Sequence, residues 1–491
     1  MILIGLDSAD PKLLLQWCAT GDLPRLRALR ERGAWGPLVS EPAVGDDATW
    51  ASFCTTVSCA RHGRFHYRAI EPGSYRITQS RDLDLGYEPF WAALSRTGKR
   101  VAILDVPKCP LVTGLNGLQV TDWLVHGRDY ETRSWPAGIA GDILQRFGDD
   151  GTDRWESEWW LCDRERLSDE RYAIFVERTL QSIQWKLACA KELLERGDWS
   201  LFAAVFKEAH CIGHQCWHLL DETHEQFNAG LAQRLGNPVR KVYRALDTAV
   251  GRLLERAGPE ATVIVFSDLG MGRNATGEHL LDDVLQRLEH AADPLWRQFG
   301  DCADSATAGD RPRPAGNDDA YDPQRRFFQL EHNEISGAIR INLAGREPQG
   351  RIQHGREMEA VCSWLRRELL ALVDPESGEP LVAQVLRTDA VFSGERLDYL
   401  PDLFVVWNRR APIGGAASRT IGELHCDPPE FRTGNHQADG VYFAAGPRIM
   451  PTPQPVAASI MDIGPTIAAL LGTALEPTDG KPFAVLSGEL P

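Results

Sequence analysis

Residues 2–7 read ILIGLD: five apolar residues in a row, then an aspartate. An apolar run without alternation is the pattern of a strand buried on both faces, as in a parallel sheet. Runs of the same kind recur at 101–106 (VAILDV), 201–206 (LFAAVF), 262–268 (TVIVFSD), 403–407 (LFVVW) and 440–446 (GVYFAAG). Helical patterns separate several of them, over about 11–32, 168–195 and 238–256. Strands alternating with helices predict an α/β fold with a mostly parallel central sheet and helices on both faces. The chain has 491 residues. A single α/β domain over 1–491 with insertions accounts for that length.

Two stretches break the alternation. Residues 130–165, which include DRWESEWWLCDRER, lie in a segment (106–200) that reads as an inserted lid. Trp155, Trp159 and Trp160 there either pack within the lid or stack on a flat group such as a nucleobase. Residues 299–323 are rich in Gly, Pro, Asp and Ala and lack periodicity, so they read as a flexible loop. That loop falls inside a second expected insert, a cap over 273–400, and leads into AIRINLAGREPQG, a strand and a turn.

The net charge of −16 argues against a nucleic-acid or anionic-membrane surface, while leaving room for a local positive pocket. No stretch approaches the ~20 apolar residues of a membrane span. The first residues, MILIGLDSAD, lack the basic start and long apolar run of a signal peptide. The 11 cysteines form no CxxC pair and read as free thiols. These features predict a soluble, cytoplasmic protein with neither nucleic acid nor membrane as a partner.

Acids and histidines stand at the strand ends. Asp7 follows the first run, Asp268 closes VIVFSD, and His210 and His214 follow the run at 201–206. Asp46 and Asp47 lie in EPAVGDDATW, and His436 precedes the run at 440. In a parallel sheet such groups can converge at one edge as Asp/His metal ligands. Each also has a plainer reading. Asp7 can cap a helix, Asp46 and Asp47 can be turn residues, and His218 can be a packing residue. His210 and His214, at i and i+4, form a metal-binding edge or a buried pair. Cys211 and Cys216 share no helical face with both histidines. No GxSxG elbow and no GxxxxGK[ST] loop is present.

Eight stretches in order resemble the alkaline phosphatase superfamily, and within it the type I phosphodiesterase/nucleotide pyrophosphatase branch. They are ILIGLDSAD, TWASFCTTVSCARHG (49–63), FKEAHCIGHQCW (206–217), VIVFSDLGMG (263–272), GAIRINLAGREPQG (337–350), PDLFVVW (401–407), GNHQADGVYFAAGP (434–447) and MDIGPTIAALLG (461–472). The resemblance implies two metal ions, usually zinc, and a Thr or Ser that attacks a phosphate or sulfate ester.

Three positions depart from the family pattern. His210 stands where an Asp is expected. Leu269 replaces a metal-binding His. Counting back from His62-Gly63 puts Asp46 at the nucleophile position; Thr49 fits it only with three residues deleted. On this register one site is His210, His214 and His436, suited to Zn, with Fe or Mn as alternatives. The other is Asp7, Asp46 and Asp268, suited to Mg, Mn or Ca, or left empty. Asp46, Asp47 and Glu208 are candidate bases, and Thr49 a donor to the substrate or a shifted nucleophile. Glu208 can instead orient a ligand histidine.

Three functions follow from this reading. The first is a metal-dependent hydrolase or group-transfer enzyme for a phosphate, phosphodiester or sulfate ester. The second is a repurposed metalloenzyme, such as a lyase, a transferase or an Fe-dependent redox enzyme. The third is a metal-free binding protein.

Overall fold

The computed structural model describes residues 1–71, 73–79, 84–125, 131–148, 167–299, 321–330, 334–426 and 432–486. Trp155, Trp159, Trp160 and nearly all of the loop expected at 299–323 lie outside these residues.

Nine strands form the central sheet. In chain order they are β1 (Ile2–Leu6), β2 (Ala34–Val39), β3 (Val101–Leu104), β4 (Gly117–Thr121), β5 (Arg133–Trp135), β6 (Leu201–Phe206), β7 (Val263–Ser267), β8 (Gly440–Ala445) and β9 (Ala458–Ser459). Their spatial order is β9-β2-β8-β7-β1-β6-β3-β4-β5. β1 lies at the centre, parallel to β6 with Leu6 opposite Phe206 and parallel to β7 with Gly5 opposite Phe266. β8 is antiparallel to both β7 and β2. Residues that precede β8 therefore reach the same edge as residues that follow β1, β2, β6 and β7. That edge collects the acids and histidines.

Both faces of the sheet are buried, which explains the runs without alternation. Ile2, Ile4 and Leu6 pack with Leu14, Trp17, Tyr243 and Leu253 on one face. Leu3 points to the other face and joins Trp50, Phe53, Phe90 and Phe266. Each fully buried side chain of this size contributes about 1.5–3 kcal/mol.

The helices that matter for the site are α1 (Pro11–Thr20), α2 (Asp46–Thr55), α3 (Asp169–Glu195), α4 (Glu208–Cys216) and α5 (Pro238–Ala257). The cap of α1 is Asp10, which accepts from the Leu13 N–H at 2.8 Å. Asp7 is thereby left for the sheet edge. Lys186 of α3 is fully buried, with Nζ 3.1 Å from Asp105 Oδ2. It also donates to the carbonyls of Leu124 and Val205 at 2.6 and 2.7 Å, fixing α3 to the sheet.

Two expectations change. The run at 403–407 is not a strand of the central sheet. It belongs to a second, antiparallel sheet whose strands are ordered Phe327–Gln329, Ser336–Ile341, Leu403–Trp407 and Val382–Arg387. A run buried against a separate core (Leu281, Leu285, Ile339, Leu365 and Val405) has the same composition as one in a parallel sheet. The AIRINLAGREPQG turn is locked there by Arg340–Glu347 at 2.8 Å and Arg346–Asp402 at 2.7 Å. The described part of 106–200 is also no separate lid, because it supplies β4, β5 and α3 to the main body.

Candidate metal centre

Asp7 leaves β1 fully buried, and the next residue, Ser8, turns with a left-handed φ of 52°. The Ser8 N–H donates to Asp268 Oδ1 at 2.9 Å, tying the ends of β1 and β7 together. The Ser8 hydroxyl donates to Asp7 Oδ1 at 3.2 Å. After β6, α4 begins at once and carries His210 and His214 inward, both 1 % exposed. His436 arrives on the strand Gly434–Gln437, which pairs antiparallel with Gly270–Arg273 and sets Met271 opposite His436.

The three imidazoles close into a triangle. Ring centroids are 4.8 Å apart for His210–His214, 4.6 Å for His210–His436 and 4.9 Å for His214–His436. Among the described residues, this is the group of three or more His, Cys, Asp or Glu whose ligand atoms gather within 4.8 Å of one another. The rings are oriented from behind. His210 Nδ1 lies 3.2 Å from Asp7 Oδ2. His214 Nδ1 donates to the carbonyl of Gly434 at 2.9 Å, so Nε2 of the neutral ring keeps its lone pair. Nδ1 of His436 is buried with no hydrogen-bond partner among the described residues. Burial holds His214 well below the usual histidine range. Burial and the neighbouring His210 lower His436 to about 3. Both rings are therefore neutral, the form that binds a metal.

The carboxylates are arranged differently. Burial pushes Asp268 well above its ordinary value, with repulsion from Asp7 and Asp46 adding to it. Oδ2 of Asp268 is buried without a hydrogen-bond partner among the described residues. Asp46, in the first turn of α2, rises to about 8 through burial and then repulsion from Asp47, despite Lys108. Burial would raise Asp7, but His210, His436 and the Ser8 hydroxyl together bring it below its ordinary value. Asp7, Asp46 and Asp268 thus feel one another. Among the described residues they do not close into a cluster as tight as that of the histidines.

Two expected site residues are held by contacts of their own. Thr49 is 1 % exposed, and its hydroxyl donates to the Gly45 carbonyl at 2.8 Å inside the first turn of α2. That bond holds the Thr49 proton inside the first turn of α2. Glu208 turns away towards α3, where Oε1 accepts from the Ser182 hydroxyl at 2.7 Å. It is fully buried there. Asp47 is paired with Arg64 at 3.2 Å and Lys108 at 3.7 Å, which hold it below its ordinary value against burial. Leu269 is fully buried and carries no ligand atom.

Several residues at this edge had no signal in the sequence. Glu334, between two strands of the second sheet, brings Oε2 to 3.5 Å from His214 Nε2 and 3.3 Å from His436 Nε2. Arg432 pairs with its Oε1 at 2.6 Å. Arg409 donates to the carbonyls of Glu334 and Ile335 at 2.7 and 2.8 Å, and also to that of His436. Arg64 lies just past the His62-Gly63 pair and was within reach of a motif reading. Glu334 was not, since neither periodicity nor spacing marks it.

Residues 1–436 match the family described as type I phosphodiesterase/nucleotide pyrophosphatase. The chain belongs to that family. Its members are metal-dependent phosphoesterases of the alkaline phosphatase superfamily, so this protein is of an enzyme family whose reaction is phosphoester hydrolysis. Phosphonoacetate hydrolase from Sinorhizobium meliloti 1021, solved with phosphonoacetate, shares the fold at 15 % identity with a TM-score of 0.52. That match covers 94 % of this chain and 93 % of the other. Murine ectonucleotide pyrophosphatase/phosphodiesterase 5 shares it at 12 % identity with a TM-score of 0.52, covering 98 % and 97 %. An inactive form of the murine protein has been solved with AMP. No functionally curated protein matches the chain in sequence. No helix among the described residues is long and apolar enough to cross a membrane.

Proposed function

We propose that this chain hydrolyses a phosphate, phosphodiester or sulfate ester of a small anionic molecule around one divalent ion held by His210, His214 and His436. The observation that carries this reading is the buried triangle of three imidazoles, with centroids 4.6–4.9 Å apart. Three nitrogen donors suit zinc first, and Fe or Mn next. When bound, such an ion supplies Lewis acidity and a water acidic enough to attack near neutral pH.

The chain's own residues do the rest. Asp7 and the Gly434 carbonyl hold His210 and His214 in orientation. Asp46, at the N-terminus of α2, replaces the family's hydroxyl and is the candidate base. Lys108 and Arg64, anchored on Asp47, provide positive charge beside it for an anionic substrate. Asp7, Asp46 and Asp268 are a weaker site that Mg, Mn or Ca suits. The phosphonoacetate and AMP bound by the two neighbours are both small anions, in keeping with this substrate class.

A second reading has its own support. With a carboxylate at Asp46 and an apolar Leu269 in place of a ligand, the usual two-ion mechanism lacks its parts. A repurposed metalloenzyme, performing lyase, transferase or Fe-dependent redox chemistry, fits the same three histidines. Turnover of p-nitrophenyl phosphodiester, monoester and sulfate with Zn, Mn and Fe(II) separates the two. Chelator-sensitive ester cleavage supports the hydrolase. Iron bound without cleavage of any ester favours the second reading.

A further inference from the structure

We propose that Glu334 is a fourth ligand of the three-histidine centre, delivered by the second sheet and locked in place by Arg432 and Arg409. This rests on the one-ion reading above. Ligand atoms about 2.0–2.1 Å from a tetrahedral ion stand roughly 3.3 Å apart. Glu334 Oε2 lies 3.3 Å from His436 Nε2 and 3.5 Å from His214 Nε2, the spacing of two tetrahedral edges.

The hydrogen bonding points the same way. The Gly434 carbonyl accepts from His214 Nδ1, so Nε2 is the ring atom that faces Glu334 Oε2, at 3.5 Å. A cation placed between the two atoms would be held by both.

Glu334 is also held at a cost. It has a left-handed φ of 63°, a conformation that costs a residue with a side chain about 1 kcal/mol or more. Arg409 is half-buried and binds the Glu334 carbonyl, the Ile335 carbonyl and the His436 carbonyl, so the strained turn and the histidine strand are pinned together. Arg432 occupies Oε1 at 2.6 Å and leaves Oε2 on the histidine side. The resulting ligand set is three imidazoles and one carboxylate. It lowers the net charge of a divalent centre and makes ion retention depend on docking of the second sheet.

The test is a zinc titration by competition with a chromophoric chelator, together with the visible spectrum of the Co(II) form. It compares the wild type with Glu334→Gln, Arg432→Gln and His214→Ala. Partners that only orient a ligand change affinity by about 10–100-fold. Glu334→Gln is expected to weaken zinc by at least about 100-fold and to shift the Co(II) bands, whereas Arg432→Gln weakens zinc by no more than about 10–100-fold and leaves the bands in place. If Glu334→Gln lowers the affinity less than this and leaves the Co(II) spectrum unchanged, while His214→Ala loses the ion, Glu334 is no ligand and the one-ion reading stands. A wild type that binds no ion overturns both. Should Glu334→Gln fail to fold, Glu334→Asp keeps the charge but withdraws the oxygen, and the same spectral shift is required of it.

Discussion

His214 Nδ1 donates to the Gly434 carbonyl at 2.9 Å, joining the helix after β6 to the strand that carries His436. The contact is possible because both backbones are bare. A Cβ on Gly434 would stand 2.2 Å from the Gly213 carbonyl oxygen and 2.9 Å from Trp217 Cβ. Gly434→Ala must therefore push α4 and the strand apart. It is expected to cost about 2 kcal/mol in urea unfolding and to weaken zinc binding along with it. Unchanged metal affinity in a folded Gly434→Ala variant would show that the histidine geometry does not depend on this contact.

Lys186 and Asp105 form a buried pair whose loss leaves a charge stranded. Asp105 also accepts from the Trp123 and Leu124 N–H groups at 3.0 and 2.8 Å. Lys186→Met removes only the cation. Chemical denaturation should show a loss of about 3–5 kcal/mol. A change under 1 kcal/mol would mean that the backbone donors alone satisfy Asp105.

Asp46 and Thr49 compete for the family's nucleophile position, and their surroundings differ. The Thr49 hydroxyl is committed to Gly45, so Thr49→Val should cost about 1 kcal/mol of stability and change kcat by less than about threefold. Asp46→Asn should lower kcat by about 100-fold or more, as expected for a lost base. The opposite ranking in a steady-state assay would move the reaction to Thr49.

How far these features could be read from the chain depends on where each residue's partner lies. Asp7, Asp268, His210 and His214 each sit at or just past the C-terminal end of an apolar run, so the strand that positions them also announces them. His436 was legible for the mirrored reason, standing just before an antiparallel strand. Glu334 had no such marker, because its partners His214 and His436 lie 120 and 102 residues away and are reached only through docking of a second sheet. Leu403–Trp407 was misplaced since burial, not the identity of the sheet, dictates an apolar run. Glu208 and Thr49 depend on a feature no apolar run announces, since one residue's rotation on a helix decides which way a side chain faces.

Asp402 gives a pH test of the second sheet. Burial would raise its pKa, but a two-pronged bond from Arg346, at 2.7 Å to each oxygen, and the Ile341 N–H at 2.6 Å bring it below the ordinary value. A carboxyl depressed in the folded state stabilises the protein above its unfolded value of about 3.9, and that stabilisation is lost as pH falls towards the folded value. The stability difference between wild type and Asp402→Asn should be about 3 kcal/mol and flat above about pH 5, then shrink below about pH 4. A difference that grows on acidification would contradict the assignment.

The central claim is one ion on three histidines, and metal content measures it most directly. Protein purified without added metal, analysed by mass spectrometry of its metals, should carry about one transition-metal ion per chain, and His214→Ala should carry none. Two zinc ions per chain in the wild type, or a full ion retained by folded His214→Ala, would contradict the account.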